Sequence, residues 1–194
     1  RFVREKNLFT GDTITVDTDS GQLVLTLTDN DLVTVNMGIP KHAPTEIPLL
    51  AAQEAQTYPV EINGTLTEFG AVSMGNPHAV ITVEDINKAH VKTLGAYLES
   101  HALFPKRVNV GFMEIVTPHH IRLRVFERGV GETLACGTGA CAAAVSGIKR
   151  HLLTTPVKVD MTGGSLSIDW KGDTNPVMMK GPAVTIFEGD IEIA

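Results

Sequence analysis

The sequence predicts an α+β fold in which antiparallel strands surround buried helices. Most of the chain consists of short β-branched or alternating runs separated by turn residues, which is typical of strands. Only two segments have helical periodicity. The composition, with 43% hydrophobic and 20% charged residues over 194 positions, is that of a globular chain with a substantial core.

The first 37 residues are predicted to form three strands. These are Thr13–Asp17, Gln22–Thr28 and Leu32–Met37, joined by turn residues at 19–21 and 29–31. Three prolines follow and predict a domain boundary, because proline suits neither a helix interior nor a central strand. They are Pro40, Pro44 and Pro48.

The middle of the chain is predicted to contain a hairpin, two short strands and a helix. Asn63-Gly64 is the strongest hairpin signal, between strands Val60–Asn63 and Thr65–Phe69. Strands Ala71–Met74 and Ala79–Val83 flank the turn at Gly75-Asn76-Pro77-His78. Asp85 is a candidate N-cap for a helix that ends near Ser100.

The last third is predicted to alternate strands with a helix of small residues, which can pack closely against neighbours. The helix extends from about Cys136 to His151. The strands are Val108–Val116, Ile121–Glu127, Val157–Met161, Leu166–Trp170, Val177–Lys180 and Val184–Phe187.

Two parts of the chain match each other at a constant separation of 143 residues, the difference between positions 16 and 159. Val16 matches Val159, Gly21 matches Gly164, Leu23 matches Leu166, Leu25 matches Ile168 and Gly38 matches Gly181. Extended backwards, the offset aligns Phe2 with Val145 and Lys6 with Lys149. The repeat therefore predicts that the chain begins in the tail of a helix equivalent to the one at Cys136, with the counterpart of Cys136 upstream of Arg1.

Charge and hydropathy point to a small polar partner. Sixteen Lys and Arg against 22 Asp and Glu give a formal charge of −6, and no basic cluster exceeds a Lys-Arg pair, which argues against a nucleic-acid partner. No apolar run approaches the roughly 20 residues that span a bilayer. We therefore expect no membrane partner and a cytoplasmic location.

The densest group of chemically active residues lies between Glu127 and Cys141. Glu127 and Arg128 end a predicted strand, a glycine-rich loop follows, and Cys136 stands where a helix should begin. The positive end of the helix dipole predicts that the Cys136 thiolate is favoured. Gly137 would let an anion approach the free amides of the first turn, and the guanidinium of Arg128 suits a carboxylate.

The other cysteine and the paired histidines are predicted to be structural. Cys141 lies among alanines and should be a small buried residue, too far along the helix from Cys136 for a disulfide. His119 and His120 lie beside Pro118 and are expected in a solvated turn. The cysteine spacing supports no zinc site.

A second group of polar residues surrounds the turn at Asn76 and His78, which has either a structural or a functional interpretation. In the functional one, Asn76 binds a polar substrate and His78 orients or polarises the Cys136 thiol. Asn109 stands at the start of a strand and is open to the same two interpretations. Two other functions stay open: a cysteine hydrolase with Cys136 as nucleophile and His78 as base, and a non-catalytic binding module.

Three segments closely resemble the diaminopimelate epimerases, a family of cofactor-independent amino-acid epimerases. They are Met74–His78, Arg107–Phe112 and the run from Glu127 to Cys141. The resemblance extends in order over essentially the whole chain. It implies a fold of two pseudo-symmetric domains, each an antiparallel barrel-like sheet around a central helix, with the active site between them. Residues 1–36 and 183–194 would belong to an incomplete amino-terminal domain and residues 37–182 to the carboxy-terminal one.

The resemblance also implies the reaction and its residues. The reaction interconverts LL- and meso-2,6-diaminoheptanedioate, for lysine and peptidoglycan precursor synthesis, by proton transfer between two opposed cysteines, without a cofactor or a metal. Cys136 would be one cysteine, and the other, in a Cys-Gly-Asn-Gly context, has no counterpart in this chain. Its absence would leave the chain inactive alone, and the full-length protein would be a homodimer.

The remaining site residues follow from the same resemblance. His78 and Glu127 would orient or tune the thiols, and the substrate would be bound by Asn76, Asn109, Glu127, Arg128 and the amides of Gly137 and Thr138. The alternative within the superfamily is another cofactor-independent racemase, similar to proline racemase.

Overall fold

The computed structural model describes residues 1–18, 21–28, 32–62 and 64–192. The predicted turns at 19–20 and 29–31, and Asn63 of the predicted hairpin, lie outside the described residues. The elements in chain order are α1 (Phe2–Glu5), β1 (Thr13–Thr18), β2 (Gly21–Thr28), β3 (Leu32–Asn36), β4 (Tyr58–Ile62), β5 (Thr65–Ser73), β6 (Pro77–Thr82), α2 (Val91–Glu99), β7 (Asn109–Thr117), β8 (His120–Glu127), β9 (Gly131–Thr133), α3 (Gly137–Lys149), β10 (Val157–Met161), β11 (Gly164–Asp169) and β12 (Met178–Pro182).

The strands form one long mixed sheet. Its order within the described residues is β1-β2-β3-β12-β11-β10-β8-β7-β6-β5-β4, with β9 paired to β8. Most neighbours are antiparallel, as predicted, but β6 pairs with β7 and β8 with β10 in parallel. Both parallel pairs join strands separated by a helix, α2 in one case and α3 in the other, because a parallel connection needs a crossover.

Helix α3 is the centre around which the sheet curves. Residues 139–147 are buried without interruption, so the helix has no solvent face. It contacts β5, β6, β7, β8, β10 and β11. Its alanines and glycines make this possible, since small side chains let strands approach a helix closely. A buried helix enclosed by six strands of one sheet is the arrangement that the predicted fold class describes, so the structure confirms that class.

Side chains of β7 alternate between two cores, which places helices on both faces of the sheet. Met113 packs with α3, whereas Val110 and Phe112 pack with Val91 and Leu98 of α2. The alternation follows from the two-residue period of a strand. The sheet is therefore covered by a helix on each face at β7.

The structure confirms the 143-residue repeat in two hairpins, β1–β2 and β10–β11. In β1–β2 the pairs are Thr18 with Gly21, Val16 with Leu23 and Ile14 with Leu25. In β10–β11 they are Met161 with Gly164, Val159 with Leu166 and Val157 with Ile168, which is the same register. Beyond the hairpin the offset changes by one residue, because Val24 pairs with Asn36 but Ser167 with Lys180. Gly38 and Gly181, which match at the offset of 143, are therefore not at equivalent positions in the structure.

Two predicted elements were wrong, one in where it begins and one in being a strand at all. Helix α2 begins at Val91 instead of Asp85, because the Asp85 carboxylate accepts a hydrogen bond from the Asn87 backbone at 2.9 Å and closes a local turn. The segment Val184–Phe187 is not a strand, and both its end residues are largely exposed. Its apolar residues have the strand pattern, but no neighbouring strand pairs with them in the described part of the chain.

Smaller differences concern strand boundaries. The predicted strands Thr65–Phe69 and Ala71–Met74 are one continuous strand, β5, and β9 was not predicted. His119 lies in a turn as expected, whereas His120 begins β8, and its Nε2 lies within hydrogen-bond distance of Asp160 Oδ2, at 2.7 Å. Strand β9 was not predicted because a strand of only three residues has too little periodicity to be recognised in the sequence.

The first and last segments of the chain contact each other. Lys6 pairs with Glu188 at 2.6 Å, and Thr185 donates to Glu5 at 2.7 Å. Strand β3 pairs with β12, so the first three strands continue the sheet of the rest. The division at residues 36 and 182 stays a prediction. Among the described residues, no helix is long and apolar enough to cross a membrane.

Candidate active site

Cys136 is the N-cap of α3. Its backbone is extended, and its sulfur accepts a hydrogen bond from the Gly139 amide at 3.4 Å, the usual N-cap interaction. Only 7% of the residue is exposed. A Cβ on Gly139 would lie 3.2 Å from the sulfur and 3.1 Å from Val125, so glycine at this position lets the thiol sit over the first turn.

A chain of polar side chains leads from His78 to the thiol. His78 Nε2 lies 2.9 Å from Asn76 Oδ1, Asn76 Nδ2 donates to Thr138 Oγ1 at 3.4 Å, and Thr138 Oγ1 lies 3.6 Å from Cys136 Sγ. With Nε2 as the donor, the Asn76 amide is oriented to donate onward. His78 is thus linked to the thiol through Asn76 and Thr138 and has no contact with the sulfur among the described hydrogen bonds.

Burial raises the pKa of the Cys136 thiol, which corrects the expectation of a favoured thiolate. The hydrogen bonds from Thr138 and Gly139 lower the pKa, but they do not offset the loss of water around the sulfur. The Glu127 carboxylate faces the thiol, and its charge and its ability to accept the thiol proton both raise the pKa further. Cys136 therefore rests as a protonated thiol beside a carboxylate.

Thr133 holds the Glu127 carboxylate in place. Its hydroxyl donates to Glu127 Oε1 at 2.5 Å from the short strand β9, which pairs with the end of β8. Sequence reasoning did not assign Thr133 a role, although it lies in the Gly131-Glu132-Thr133 part of the motif. Its role depends on the β8–β9 pairing, which a three-residue strand did not reveal.

Arg128 lies in a tight turn that is fixed by other elements. The Val130 amide donates to the Glu127 carbonyl at 3.1 Å, and Gly129 has a φ of 75°, which is the arrangement of a type II turn. Asn109 Oδ1 accepts from the Arg128 amide at 2.9 Å, and an Arg128 guanidinium nitrogen donates to the Lys106 carbonyl at 3.0 Å. The Arg128 side chain itself is exposed at the edge of the site.

Asn109 connects the two groups of site residues. Its side chain, 4% exposed, donates to the Pro77 carbonyl at 3.0 Å and accepts from the Arg128 amide. It therefore joins the turn that carries Asn76 and His78 to the turn that carries Arg128. A substrate contact by Asn109 stays a prediction, and its bracing role is the one that these contacts support.

The structure thus brings the predicted site residues together at one end of α3. Cys136 and Thr138 lie beside Asn76 and Glu127, with His78 behind Asn76. The remaining members are Asn109, Arg128 and Gly137, and Met179 approaches within 3.2 Å of the position of a Cβ on Gly137. The described residues contain no group of three or more His, Cys, Asp or Glu that could hold a metal ion.

The environment of His78 does not fit the base of a cysteine hydrolase. Burial, and then the charge of Arg128, lower the pKa of His78 to about 3, so the imidazole is neutral. Its Nε2 is bound to Asn76 and its nearest route to the sulfur passes through two side chains. A hydrolase base acts in contact with the nucleophile, so these contacts do not support the hydrolase interpretation.

We expect His78 to make the protein less stable in acid. An unfolded histidine titrates near its ordinary value of 6.5, whereas His78 in the fold stays neutral down to about 3. Between these values only the unfolded chain binds the proton, so stability falls as the pH falls, by at most ~1.4 kcal/mol per pH unit. Urea unfolding of wild type and His78→Gln from pH 4 to 7 measures this, and parallel curves would contradict it.

Cys141 is a structural residue, as predicted. It has no exposed surface and lies within the run of buried alanines of α3. Burial raises its pKa to about 12, which keeps the thiol protonated. Both cysteines are free thiols.

Known proteins resemble this chain in sequence and in fold. The family model for diaminopimelate epimerase matches residues 70–186, which include every residue of the site. Diaminopimelate epimerase of Pseudomonas aeruginosa (strain LESB58) is 52% identical over 193 residues, 100% of this chain and 70% of that protein.

The chain belongs to the diaminopimelate epimerase family.

Another diaminopimelate epimerase, from Nitrosomonas eutropha, is 55% identical over 193 residues, 100% of this chain and 69% of that protein. Among solved structures, a probable proline racemase from Agrobacterium radiobacter K84 has a TM-score of 0.69 at 14% identity, over 99% of this chain and 65% of that one. A PhzF-family phenazine biosynthesis protein from Bacillus anthracis has a TM-score of 0.63 at 13% identity, over 99% and 73%. These two likenesses show the shared fold alone.

Proposed function

We propose that this diaminopimelate epimerase family member is an isomerase that interconverts LL- and meso-diaminopimelate, with Cys136 as one of its two proton-transfer groups. The single observation that carries the proposal is the Cys136 thiol at the start of α3, facing Glu127, in a chain 52% identical to diaminopimelate epimerases over 193 residues. The proposal includes a place in lysine biosynthesis, which the activity of those relatives supports.

Cys136 is suited to give a proton to the substrate α-carbon. The raised pKa of the thiol keeps it protonated at neutral pH, so it begins the reaction as an acid. As the carbanion takes the proton, the S–H bond breaks and a new C–H bond forms on the face of the carbon that Cys136 approaches. In the reverse direction the thiolate removes that proton, and the Thr138 and Gly139 hydrogen bonds stabilise it.

A second group must act on the opposite face of the same carbon. Inversion requires removal of the proton from one side and delivery from the other, which a single thiol beside a fixed substrate does not achieve. The buried Cys141 is not available for this, since it has no exposed surface. We propose that the opposing cysteine belongs to the 30% of the relatives' length that this chain does not match.

The substrate carboxylates are bound at two places in this proposal. The amides of Gly137 and Thr138, in the first turn of α3, bind the α-carboxylate, where the helix dipole favours negative charge. The exposed guanidinium of Arg128 binds the distal carboxylate. One of its nitrogens donates to the Lys106 carbonyl, and another donates to the substrate. Asn76 and Glu127 face the space between them and contact the substrate amino groups.

The proposal extends to a cytoplasmic homodimer without nucleic-acid or membrane partners, which the negative charge and the family resemblance support. Light scattering of the complete natural polypeptide that contains this sequence measures its oligomeric state.

Solvent-isotope exchange tests the function. The complete natural polypeptide that contains residues 1–194 is incubated with LL-diaminopimelate in deuterium oxide, and the isomers are separated by chiral chromatography. We expect the meso isomer with one deuterium at the inverted α-carbon, and no reaction with proline. Proline racemisation, or no exchange at all, would contradict the proposal. The 194-residue chain alone is expected to show no turnover, and measurable turnover would contradict a second group outside it.

A further inference from the structure

We infer that Glu99, at the end of α2, is a positioning residue that holds the carboxylate-binding turn of Arg128 in place. The inference rests on the proposed function, since it assigns Glu99 to the substrate site. Among the described hydrogen bonds, Glu99 has none with Cys136 or with the polar chain at His78, and Glu99 was not singled out in the sequence.

Glu99 is a buried carboxylate with two partners. Its side chain is 3% exposed, although a carboxylate is normally found at the surface. Oε1 accepts from the Gly129 amide at 2.9 Å, and Oε2 pairs with Arg107 Nη2 at 2.6 Å. Burying a carboxylate is costly unless its oxygens are hydrogen-bonded, and both are. The Glu99 carboxylate is therefore fixed between the Gly129 amide of the Arg128 turn and the Arg107 guanidinium.

The Gly129 amide belongs to the turn that carries Arg128 and donates to Glu99. In the turn from Glu127 to Val130, only the Val130 amide is used by the turn itself, so the amides of Arg128 and Gly129 point outwards. Asn109 accepts from the first and Glu99 from the second. Two side chains from different elements thus fix both free amides of the turn that carries Arg128.

Glu99 also fixes the segment that leads into Asn109. Its backbone carbonyl accepts from the Val108 amide at 3.1 Å, and its carboxylate pairs with Arg107, which has a left-handed φ of 59°. The Lys106 carbonyl in the same segment binds the Arg128 guanidinium. Glu99 therefore contacts both the turn that carries Arg128 and the segment whose Lys106 carbonyl binds the Arg128 guanidinium.

Glu99→Ala tests the inference in the complete natural polypeptide. Without the carboxylate the turn loses one of its two anchors, so we expect KM for diaminopimelate to rise roughly tenfold while kcat stays within about threefold. Glu99→Gln keeps one acceptor oxygen and should give an intermediate KM. In the Arg128→Ala background, Glu99→Ala should change KM by less than about twofold, because the group it positions is gone.

Glu114→Ala is the matched control. Glu114 is a partly buried carboxylate that, like Glu99, accepts from a backbone amide, that of Ile86 at 2.9 Å, and contacts an arginine, Arg122, at 3.6 Å. It lies away from the Arg128 turn, so its loss should lower stability without changing KM. An equal KM change in both variants, or a Glu99 effect that persists unchanged in the Arg128→Ala background, would overturn the inference.

Hydrogen exchange separates this inference from the proposed function. Mass spectrometry of the substrate-free protein should show faster amide exchange than in wild type across residues 127–130 of Glu99→Ala. The increase should be smaller in Glu99→Gln, and Glu114→Ala should exchange these amides at the wild-type rate. This measurement does not depend on epimerase activity. If Glu99→Ala does not fold, the Glu99→Gln values of exchange and KM decide, and wild-type values for both would overturn the inference.

Discussion

Cys136→Ser is expected to lower kcat for the epimerisation of diaminopimelate by about 10³-fold, with KM within about threefold. The serine hydroxyl has nearly the shape of the thiol and keeps the N-cap interaction with Gly139, but it is a much weaker acid and its alkoxide a far less accessible base. The loss would therefore fall on proton transfer and not on binding. Steady-state kinetics with the complete natural polypeptide, together with α-deuterium exchange, measure it.

Cys141→Ala is the control for this experiment. Cys141 lies five residues further along α3 with no exposed surface, and alanine is already its neighbour on both sides. We expect kcat within about twofold of wild type and a stability loss of ~1 kcal/mol from the small cavity. If the Cys136→Ser protein kept more than a tenth of wild-type kcat, Cys136 would not be a proton-transfer group of this reaction.

Glu127→Gln is expected to change two measurements in opposite directions. The Glu127 carboxylate raises the pKa of Cys136, so its removal lowers that pKa and enlarges the thiolate fraction at a given pH. Alkylation of Cys136 by iodoacetamide at pH 8 should therefore be several-fold faster. At the same time kcat should fall about 10²-fold, because a smaller fraction of Cys136 is then protonated and able to give its proton to the substrate carbanion, so the alkaline limb of the pH profile moves to lower pH.

Two variants control for the position of the charge. Glu132→Gln removes a half-buried carboxylate from the same β8–β9 hairpin, where it pairs with Arg124 at 2.6 Å, and should leave the alkylation rate unchanged. Thr133→Val keeps the Glu127 charge but removes the 2.5 Å hydrogen bond that orients it, and should lower kcat by about tenfold. Slower alkylation in Glu127→Gln would show that the carboxylate activates the thiolate, contrary to our assignment.

Much of the fold was predictable because its signals are local. The strand runs have a two-residue period, α3 is a run of small residues, and the glycine turns of the two matching hairpins lie 143 positions apart. The parallel pairs were not predictable, since a strand's own residues do not specify which strand lies beside it. The segment Val184–Phe187 illustrates this, because its apolar pattern is present but its partner strand is not among the described residues.

The candidate site divides in the same way. Its residues were recognised from spacing and from the family motif, and the comparisons confirm the family. Their interactions were not recognised, because they join distant positions: Glu99 with Gly129, Asn109 with Pro77, and Asn76 with Thr138. A polar side chain in the sequence does not reveal whether it meets substrate or another part of the chain.

The sequence by itself determined that a cysteine opens the central helix, that glycines clear the amides around it, and that one hairpin is repeated. Only the tertiary structure decided the protonation state of that cysteine. The helix start favours the thiolate, and this effect is readable from the local sequence. Burial and the Glu127 carboxylate oppose it, and they prevail because desolvation and charge act through space, from strands that the local sequence does not contain.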